Sequence, residues 1–125
     1  MYTVTVSRDF VAQHFLTVPD PGPEGEVHSH YYDLAAECEG PGLNEYGYLL
    51  DIDDLTAALD AIEDRYRDRL LNDLAEFSGL NPSVEHFSRI VADRLAEDLD
   101  APEVETLRVR IREDDVAWAA YERTV

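Results

Sequence analysis

The chain has 125 residues, of which 28 are acidic and 10 are basic, so its formal net charge is −18. A charge of this sign disfavours nucleic acid and anionic membrane surfaces as partners, and neither is expected here. At 45% hydrophobic residues the chain can bury a core, which excludes a disordered protein, and its length fits a single domain over residues 1–125.

The first predicted elements are two strands. Apolar side chains recur at every second position over residues 2–15, which is typical of a half-buried strand. The stretch TVPDPGPEGE, with three prolines and two glycines, predicts a loop. A second strand is predicted over residues 27–39, with His28 and His30 on the face that also carries Leu34 and Cys38. Cys38 is the only cysteine, so it cannot form an intrachain disulfide, and we expect it to be buried.

Two amphipathic helices and two further strands follow. The first helix is predicted from about Asp51 to Arg69, with Asp51 or Asp53 as its N-cap. The second is predicted from about Pro82 to Leu99. Strands over residues 103–113 and over VAWAAYE complete the chain. The order β-β-α-α-β-β predicts an α+β fold, in which a four-stranded antiparallel sheet carries both helices on one face.

The acidic residues are spread along the whole chain. This distribution favours adaptation to a salty cytoplasm over an acidic docking surface for a basic partner. Molar salt screens the repulsion between like charges, because the Debye length falls to about 3 Å. The alternating N-terminal segment does not resemble a signal peptide, and no apolar run approaches the roughly 20 residues of a membrane span, so we expect a cytoplasmic protein.

Three histidines form the first candidate site. His28 and His30 are two residues apart, so their side chains share one face of a strand, roughly 7 Å apart at the backbone. A hairpin would bring His14, at the end of the first strand, beside them. Three imidazoles form a neutral ligand set that leaves Zn²⁺ its full charge and an open position, where it can polarise a hydroxyl or carbonyl oxygen. On the residues alone, an ordinary structural role for these histidines stays open.

Five short motifs follow one another along the chain: FVAQHFL, HSH, GYLLDIDDL, LLND with NPSVE, and RIRED. In this order and at this spacing, they resemble the family of 6-pyruvoyltetrahydropterin synthase and 6-carboxytetrahydropterin synthase. The resemblance implies the tunnelling fold, in which subunits join their sheets into a trimeric barrel and two trimers stack as a hexamer, with active sites between subunits. It also implies a small-molecule pterin substrate and Zn²⁺ held by His14, His28 and His30.

Two glutamates are implied as substrate-binding residues. Glu113 in RIRED stands where the family keeps a pterin-anchoring glutamate, and Glu85 in NPSVE is in register with its motif. A pterin presents a ring N–H and an exocyclic amine side by side, and one carboxylate can accept from both. Without the resemblance, Glu113 is more simply interpreted as a turn residue beside Asp114 and Asp115.

The chain departs from the family pattern at the catalytic positions. Glu24 stands where the family usually has a cysteine base, and Arg67 and Asp68 stand where it usually has Asp-His. Glu24 resembles the subgroup in which glutamate replaces the cysteine and the dihydroneopterin side chain is cleaved to 6-hydroxymethyldihydropterin. A carboxylate in a partly dry pocket can act as a general base when its pKa is raised toward neutrality. The alternative is that Glu24 is one more acid in a surface loop.

The predicted function is a zinc-dependent pterin lyase acting on 7,8-dihydroneopterin triphosphate or a dephosphorylated form. Glu113 would hold the ring, Glu85 is a further substrate-binding residue, and Glu24, with Asp68, would move protons. Both 6-carboxytetrahydropterin and 6-hydroxymethyldihydropterin stay open as products. The alternatives are a family member that binds zinc and a pterin without turnover, and a structural oligomeric domain whose histidines bind no metal.

Overall fold

The structure, a computed structural model, describes all 125 residues. Its main elements are listed here in chain order: β1 (Tyr2–His14), β2 (His28–Gly40), α1 (Ile52–Tyr66), α2 (Val84–Asp98), β3 (Thr106–Arg112) and β4 (Trp118–Thr124). Short 3₁₀ turns at Gly22–Gly25, Leu71–Asp73 and Ala75–Phe77 lie between them. The predicted order β-β-α-α-β-β is confirmed, as is the α+β class.

The helix ends differ from the prediction by up to three residues. Helix α1 stops at Tyr66 because Arg67, with a ψ of 130°, leaves the helical region, and Asp68 has a left-handed φ of 60°, which no α-helix accommodates. Helix α2 begins at Val84, after Ser83, whose Oγ accepts a hydrogen bond of 3.1 Å from the backbone N–H of His86. Pro82 therefore lies just outside this helix.

The four strands form one antiparallel sheet in the order β1-β2-β3-β4. The β1–β2 register pairs His14 with His28 and Ala12 with His30, so the predicted hairpin is present. Both helices cover the same face of the sheet, where alternate strand residues are buried in a single core of 24 hydrophobic residues. Cys38 belongs to this core, as expected.

Aromatic side chains fill the core beneath the histidine end of the hairpin. Phe10 and Tyr32 from the sheet meet Phe87 from α2, and Tyr66 and Phe77 close the layer from the other side. Large, well-packed rings hold their neighbours in fixed positions. Neither helix is both long enough and apolar enough to cross a membrane.

The segment between the two helices forms hydrogen bonds to the loop that follows β1. The side chain of Asn72 bonds both backbone groups of Phe15, accepting from its N–H at 3.0 Å and donating to its carbonyl at 3.0 Å. Asn81 Oδ1 accepts from the N–H of Thr17 at 2.9 Å. These two amides fix the chain directly after His14.

Candidate metal centre

His14, His28 and His30 converge on one point at the end of the β1–β2 hairpin. One ring nitrogen of each lies within 4.8 Å of the others, and Nε2 of His14 is 3.0 Å from Nε2 of His28. The convergence follows from the register, since all three side chains lie on the helix-covered face at neighbouring positions. His14 is fully buried, while His28 and His30 are half-buried.

Backbone carbonyls orient two of the rings. His14 Nδ1 is 2.9 Å from the carbonyl oxygen of Pro82, and His28 Nδ1 is 2.8 Å from that of Glu26. A carbonyl oxygen only accepts, so both Nδ1 atoms carry the proton and both Nε2 atoms of the neutral rings present lone pairs. Two lone pairs 3.0 Å apart repel each other unless a cation lies between them. Backbone bonding of the distal nitrogen is also how metal-binding imidazoles are held.

The third ring has a buried nitrogen without a hydrogen-bond partner. His30 Nε2 lies 3.1 Å from Oε1 of Glu113, but the two atoms do not form a hydrogen bond, so this buried nitrogen is unsatisfied. Unsatisfied buried polar atoms are uncommon and point to a missing ligand or ion. Two nitrogens bound to one tetrahedral zinc at 2.0–2.1 Å lie roughly 3.3 Å apart. The three donors therefore fit a divalent metal with small side-chain shifts.

The electrostatics of His14 favour the neutral imidazole that a metal requires. Burial is the main effect and lowers its pKa below the ordinary value. The bond to the Pro82 carbonyl opposes this shift, and the charges of His30 and His28 add to it. A neutral ring keeps the Nε2 lone pair free, so no proton has to leave this nitrogen when a metal binds.

Glu24 lies in the 3₁₀ turn Gly22–Gly25, between β1 and β2. Its carbonyl accepts a hydrogen bond of 2.8 Å from the N–H of Leu16, so the turn is fixed two residues after His14. Gly25 is required there, because a Cβ would lie 2.6 Å from Cγ of Pro21. The Glu24 side chain is exposed, and its negative charge acts on both His14 and Glu113.

Glu113 and Glu85 lie in the wall of one pocket. This pocket, of about 380 Å³, lies between the start of α2 and the β3–β4 turn and is completed by Val84, Asp114, Ala117, Trp118 and Ala119. The Glu113 side chain is 22% exposed, and burial is the main cause that raises its pKa, against the lowering effect of His30. Glu85 is exposed, in the first turn of α2. Glu113 therefore joins the histidine cluster to the pocket.

Asp68 lies apart from this group. Its side chain is exposed, and no hydrogen bond or ion pair connects it to the histidines or to Glu24. Its backbone N–H donates to the carbonyl of Val11 at 2.7 Å, on the outer edge of β1. The structure brings the three histidines and Glu113 together and puts Glu85 in the same pocket wall as Glu113. Glu24 acts on His14 and Glu113 through its charge, and Asp68 lies apart.

Several residues that support the site carry little signal in the sequence. The Pro82 carbonyl is a backbone group, and the Asn72 and Asn81 side chains bond backbone groups of Phe15 and Thr17. A residue pattern does not reveal such contacts. Tyr32 shares the parity of His28 and His30, and its hydroxyl lies 3.4 Å from His14 Nδ1. The parity of the second strand could have identified Tyr32, but only the fold brings the two asparagines to the loop after β1.

Comparison with known proteins agrees with this arrangement. The family model described as 6-pyruvoyl tetrahydropterin synthase matches residues 3–124. The 6-pyruvoyl tetrahydropterin synthase of Caenorhabditis elegans is 21% identical, with 99% of this chain and 98% of that chain covered and a TM-score of 0.82. That of Plasmodium vivax, solved as a catalytic-residue mutant with glutamate changed to alanine, is 16% identical at the same coverage, with a TM-score of 0.81.

A search of curated protein sequences finds no match. At these identities the solved structures show the fold alone, which is that of the 6-pyruvoyltetrahydropterin synthases. The family model spans almost the whole chain, over residues 3–124. This chain belongs to the 6-pyruvoyl tetrahydropterin synthase family.

Proposed function

We propose that the chain is a zinc-dependent pterin lyase that acts on 7,8-dihydroneopterin triphosphate or a related dihydropterin. The observation that carries this proposal is the convergence of three histidine nitrogens beside Glu113, with two rings oriented by backbone carbonyls. His14, His28 and His30 would hold the zinc, whose chemistry is to polarise oxygen atoms of the substrate side chain. Membership of a family of pterin enzymes supports the substrate class.

Glu113 is proposed to hold the pterin ring. Its carboxylate lies at the junction of the histidine cluster and the pocket, so a ring bound there extends its side chain toward the metal centre. The ring N–H and the exocyclic amine donate to the two carboxylate oxygens, a paired geometry that also fixes the ring's orientation. Glu85, on the α2 side of the same pocket, is proposed as a second acceptor.

Glu24 is proposed as the general base. In cleavage of the dihydroneopterin side chain, the base takes the proton of the 2′-hydroxyl, the C1′–C2′ bond breaks, and C1′ gains a proton. The products are 6-hydroxymethyldihydropterin and the two-carbon aldehyde. The catalytic residue replaced in the Plasmodium vivax structure is a glutamate, which gives precedent for a carboxylate in this role. Asp68 joins this proton transfer only if a neighbouring subunit supplies it.

The test is a product analysis of zinc-loaded protein in molar salt, since the acidic surface predicts a need for screening. The protein is given 7,8-dihydroneopterin triphosphate and, separately, 7,8-dihydroneopterin, and the pterins are identified by mass. Glu24→Gln is expected to lower kcat about 10²- to 10⁴-fold, which is the usual contribution of a general base. Glu26→Gln is the matched control, because Glu26 is an exposed acid in the same loop.

A 6-hydroxymethyl product that depends on Glu24 supports the proposal in full. A 6-carboxy or 6-pyruvoyl product would support a lyase but contradict cleavage of the side chain to the 6-hydroxymethyl compound. No turnover of either substrate by protein with a full zinc site contradicts a lyase. The second candidate function, zinc and pterin binding without turnover, then takes its place. That candidate is favoured by the exposed position of Asp68, where the family's relay histidine is expected.

A homo-oligomer, either a trimer or a hexamer, is also part of the proposal. Strand β4 has no neighbour on its outer edge, and β1 is bridged on its outer edge at Gln13 and Leu70. Sheet edges with unpaired backbone groups are suited to pairing with another chain. Light scattering on protein eluted from a sizing column measures the oligomeric state. A monomer at micromolar concentration in molar salt would contradict the proposed homo-oligomer.

A further inference from the structure

Two asparagines from the segment between the helices hold the backbone that directly follows His14. Asn72 bonds both backbone groups of Phe15, accepting from its N–H and donating to its carbonyl, each at 3.0 Å. Asn81 Oδ1 accepts from the N–H of Thr17 at 2.9 Å. These contacts join residues that are 57 and 64 positions apart in the sequence, so they fix this stretch against the segment between α1 and α2.

The middle residue of the stretch 15–17, Leu16, is bonded to the turn that carries Glu24. Its N–H donates to the carbonyl oxygen of Glu24 at 2.8 Å. The turn is closely packed, since a Cβ at Gly25 would lie only 2.6 Å from Cγ of Pro21. A displacement of the stretch 15–17 is therefore passed on to the backbone of Glu24.

The Glu24 carboxylate is exposed, and its charge acts on both His14 and Glu113. A general base has to come within about 2.6–3.2 Å of the group whose proton it takes. A flexible glutamate side chain meets this condition only when its backbone is fixed relative to the metal centre. His14 is itself oriented by the carbonyl of Pro82, the residue after Asn81. One dipeptide thus holds both a candidate metal ligand and the stretch that leads to the proposed base.

We propose that Asn72 and Asn81 are positioning residues that set the distance between the general base Glu24 and the metal centre. This inference rests on the function proposed above. Neither asparagine lies in the wall of the pocket that contains Glu113, so neither is expected to touch the substrate. Both act through the backbone of residues 15–17 and its hydrogen bond to the Glu24 turn.

The first experiment measures kcat and KM of zinc-loaded Asn72→Ala in molar salt, with 7,8-dihydroneopterin and with its triphosphate. We expect kcat to fall about 10- to 100-fold, because a misplacement of about 1 Å can cost 10²-fold in rate. We expect KM to stay unchanged, because no contact with the substrate is removed. Asn44→Ala is the matched control, since Asn44 holds the loop between β2 and α1 through the N–H groups of Tyr46 and Tyr48.

Aspartate substitutions distinguish the two asparagines by their hydrogen bonds. Asn81 only accepts from the backbone of Thr17, so Asn81→Asp keeps this contact and is expected to retain most of the wild-type kcat, whereas Asn81→Ala lowers it. Asn72 also donates to the Phe15 carbonyl, which a carboxylate cannot do, so Asn72→Asp is expected to be no better than Asn72→Ala. If Asn81→Asp and Asn81→Ala lose kcat equally, the contact with Thr17 does not position the base.

A double-mutant cycle tests whether Asn72 acts through Glu24. In the Glu24→Gln background, Asn72→Ala is expected to change the residual kcat little, because the base that it positions is already gone. The same fold loss in both backgrounds overturns this inference alone, as does an unchanged kcat in the two alanine variants. The Asn81 variants give the same test if Asn72→Ala does not fold.

Zinc content separates a role at the base from a role at the metal. Each variant is analysed for zinc and is expected to hold as much as the wild type. Zinc loss from Asn72→Ala and Asn81→Ala would assign the asparagines to the metal site and overturn the inference. If the wild type turns over neither substrate, the proposed function fails together with this inference.

Discussion

Two partly buried glutamates, Glu76 and Glu113, have opposite surroundings. The Glu76 carboxylate lies 2.7 Å from a guanidinium nitrogen of Arg65, 2.9 Å from one of Arg94 and 2.7 Å from the hydroxyl of Tyr66. The hydrogen bond from Arg65 is the main reason that its pKa is lowered to about 2. Glu113 has no arginine partner, its only ion-pair contact is with His30, and its pKa is raised mainly by burial.

The difference separates structural from functional polar groups. The partners of Glu76 come from α1 and α2, so this carboxylate ties the turn Ala75–Phe77 to both helices and is fully used by the fold. His30 Nε2 has no hydrogen-bond partner, and Glu113, 3.1 Å from it, lies in the wall of a pocket. Groups left unsatisfied in a cleft, with shifted pKa values, are typical of sites that bind a ligand.

The largest effect is expected from removing a metal ligand. His28→Ala should lower zinc affinity by more than the roughly 10–100-fold that loss of an outer-shell partner costs, because a direct donor is lost. His86→Ala is the matched control, since His86 bonds the Asn81 carbonyl and lies outside the cluster. Zinc per protein after dialysis is measured by elemental analysis. Equal zinc content in the two variants would show that His28 is not a zinc ligand.

The next prediction compares the two glutamates directly. Glu76→Gln should lower the free energy of unfolding by about 2 kcal/mol, because two guanidinium groups lose their charged partner; the figure is discounted because each guanidinium is 40% exposed. Glu113→Gln in metal-free protein should leave stability within about 0.5 kcal/mol or raise it, because a partly desolvated charge is removed. Denaturant unfolding of both variants measures this. A Glu113→Gln loss as large as that of Glu76→Gln would show that Glu113 is structural.

The smallest effect is expected on the free energy of unfolding at acidic pH. The pKa of Glu76 is depressed in the folded state, so its contribution to stability is complete above its ordinary value of 4.5 and is lost as pH falls toward about 2. The wild type should therefore lose more stability than Glu76→Gln between pH 5 and pH 2, and the two curves should converge at the acid end. Parallel curves over this range would contradict the assignment of the shift to the Arg65 and Arg94 contacts.

The sequence predicted the strands and helices because their side-chain periods differ. Alternation in β1 and β2 also placed His28 and His30 on one face and, through the hairpin, brought His14 to them. The end of α1 was missed by three residues because the stop depends on the backbone of Arg67 and Asp68, not on a glycine or proline. The helix propensities of the residues do not predict where such a helix ends.

Other features of the site needed the fold. Nothing in the residue types indicates that the Pro82 carbonyl orients His14, or that Asn72 clamps Phe15, since both contacts join residues far apart in sequence. Long-range backbone contacts of this kind are set by tertiary packing, which a local pattern does not encode.

The central claim is that three histidines form an open metal site, and X-ray absorption at the zinc edge tests it most directly. Protein purified with one equivalent of zinc should show three imidazole nitrogens at about 2.0–2.1 Å and one further oxygen donor. Adding neopterin should leave the three imidazoles in place. A spectrum with fewer than three imidazoles, with sulfur from Cys38, or with no specifically bound zinc would contradict the account.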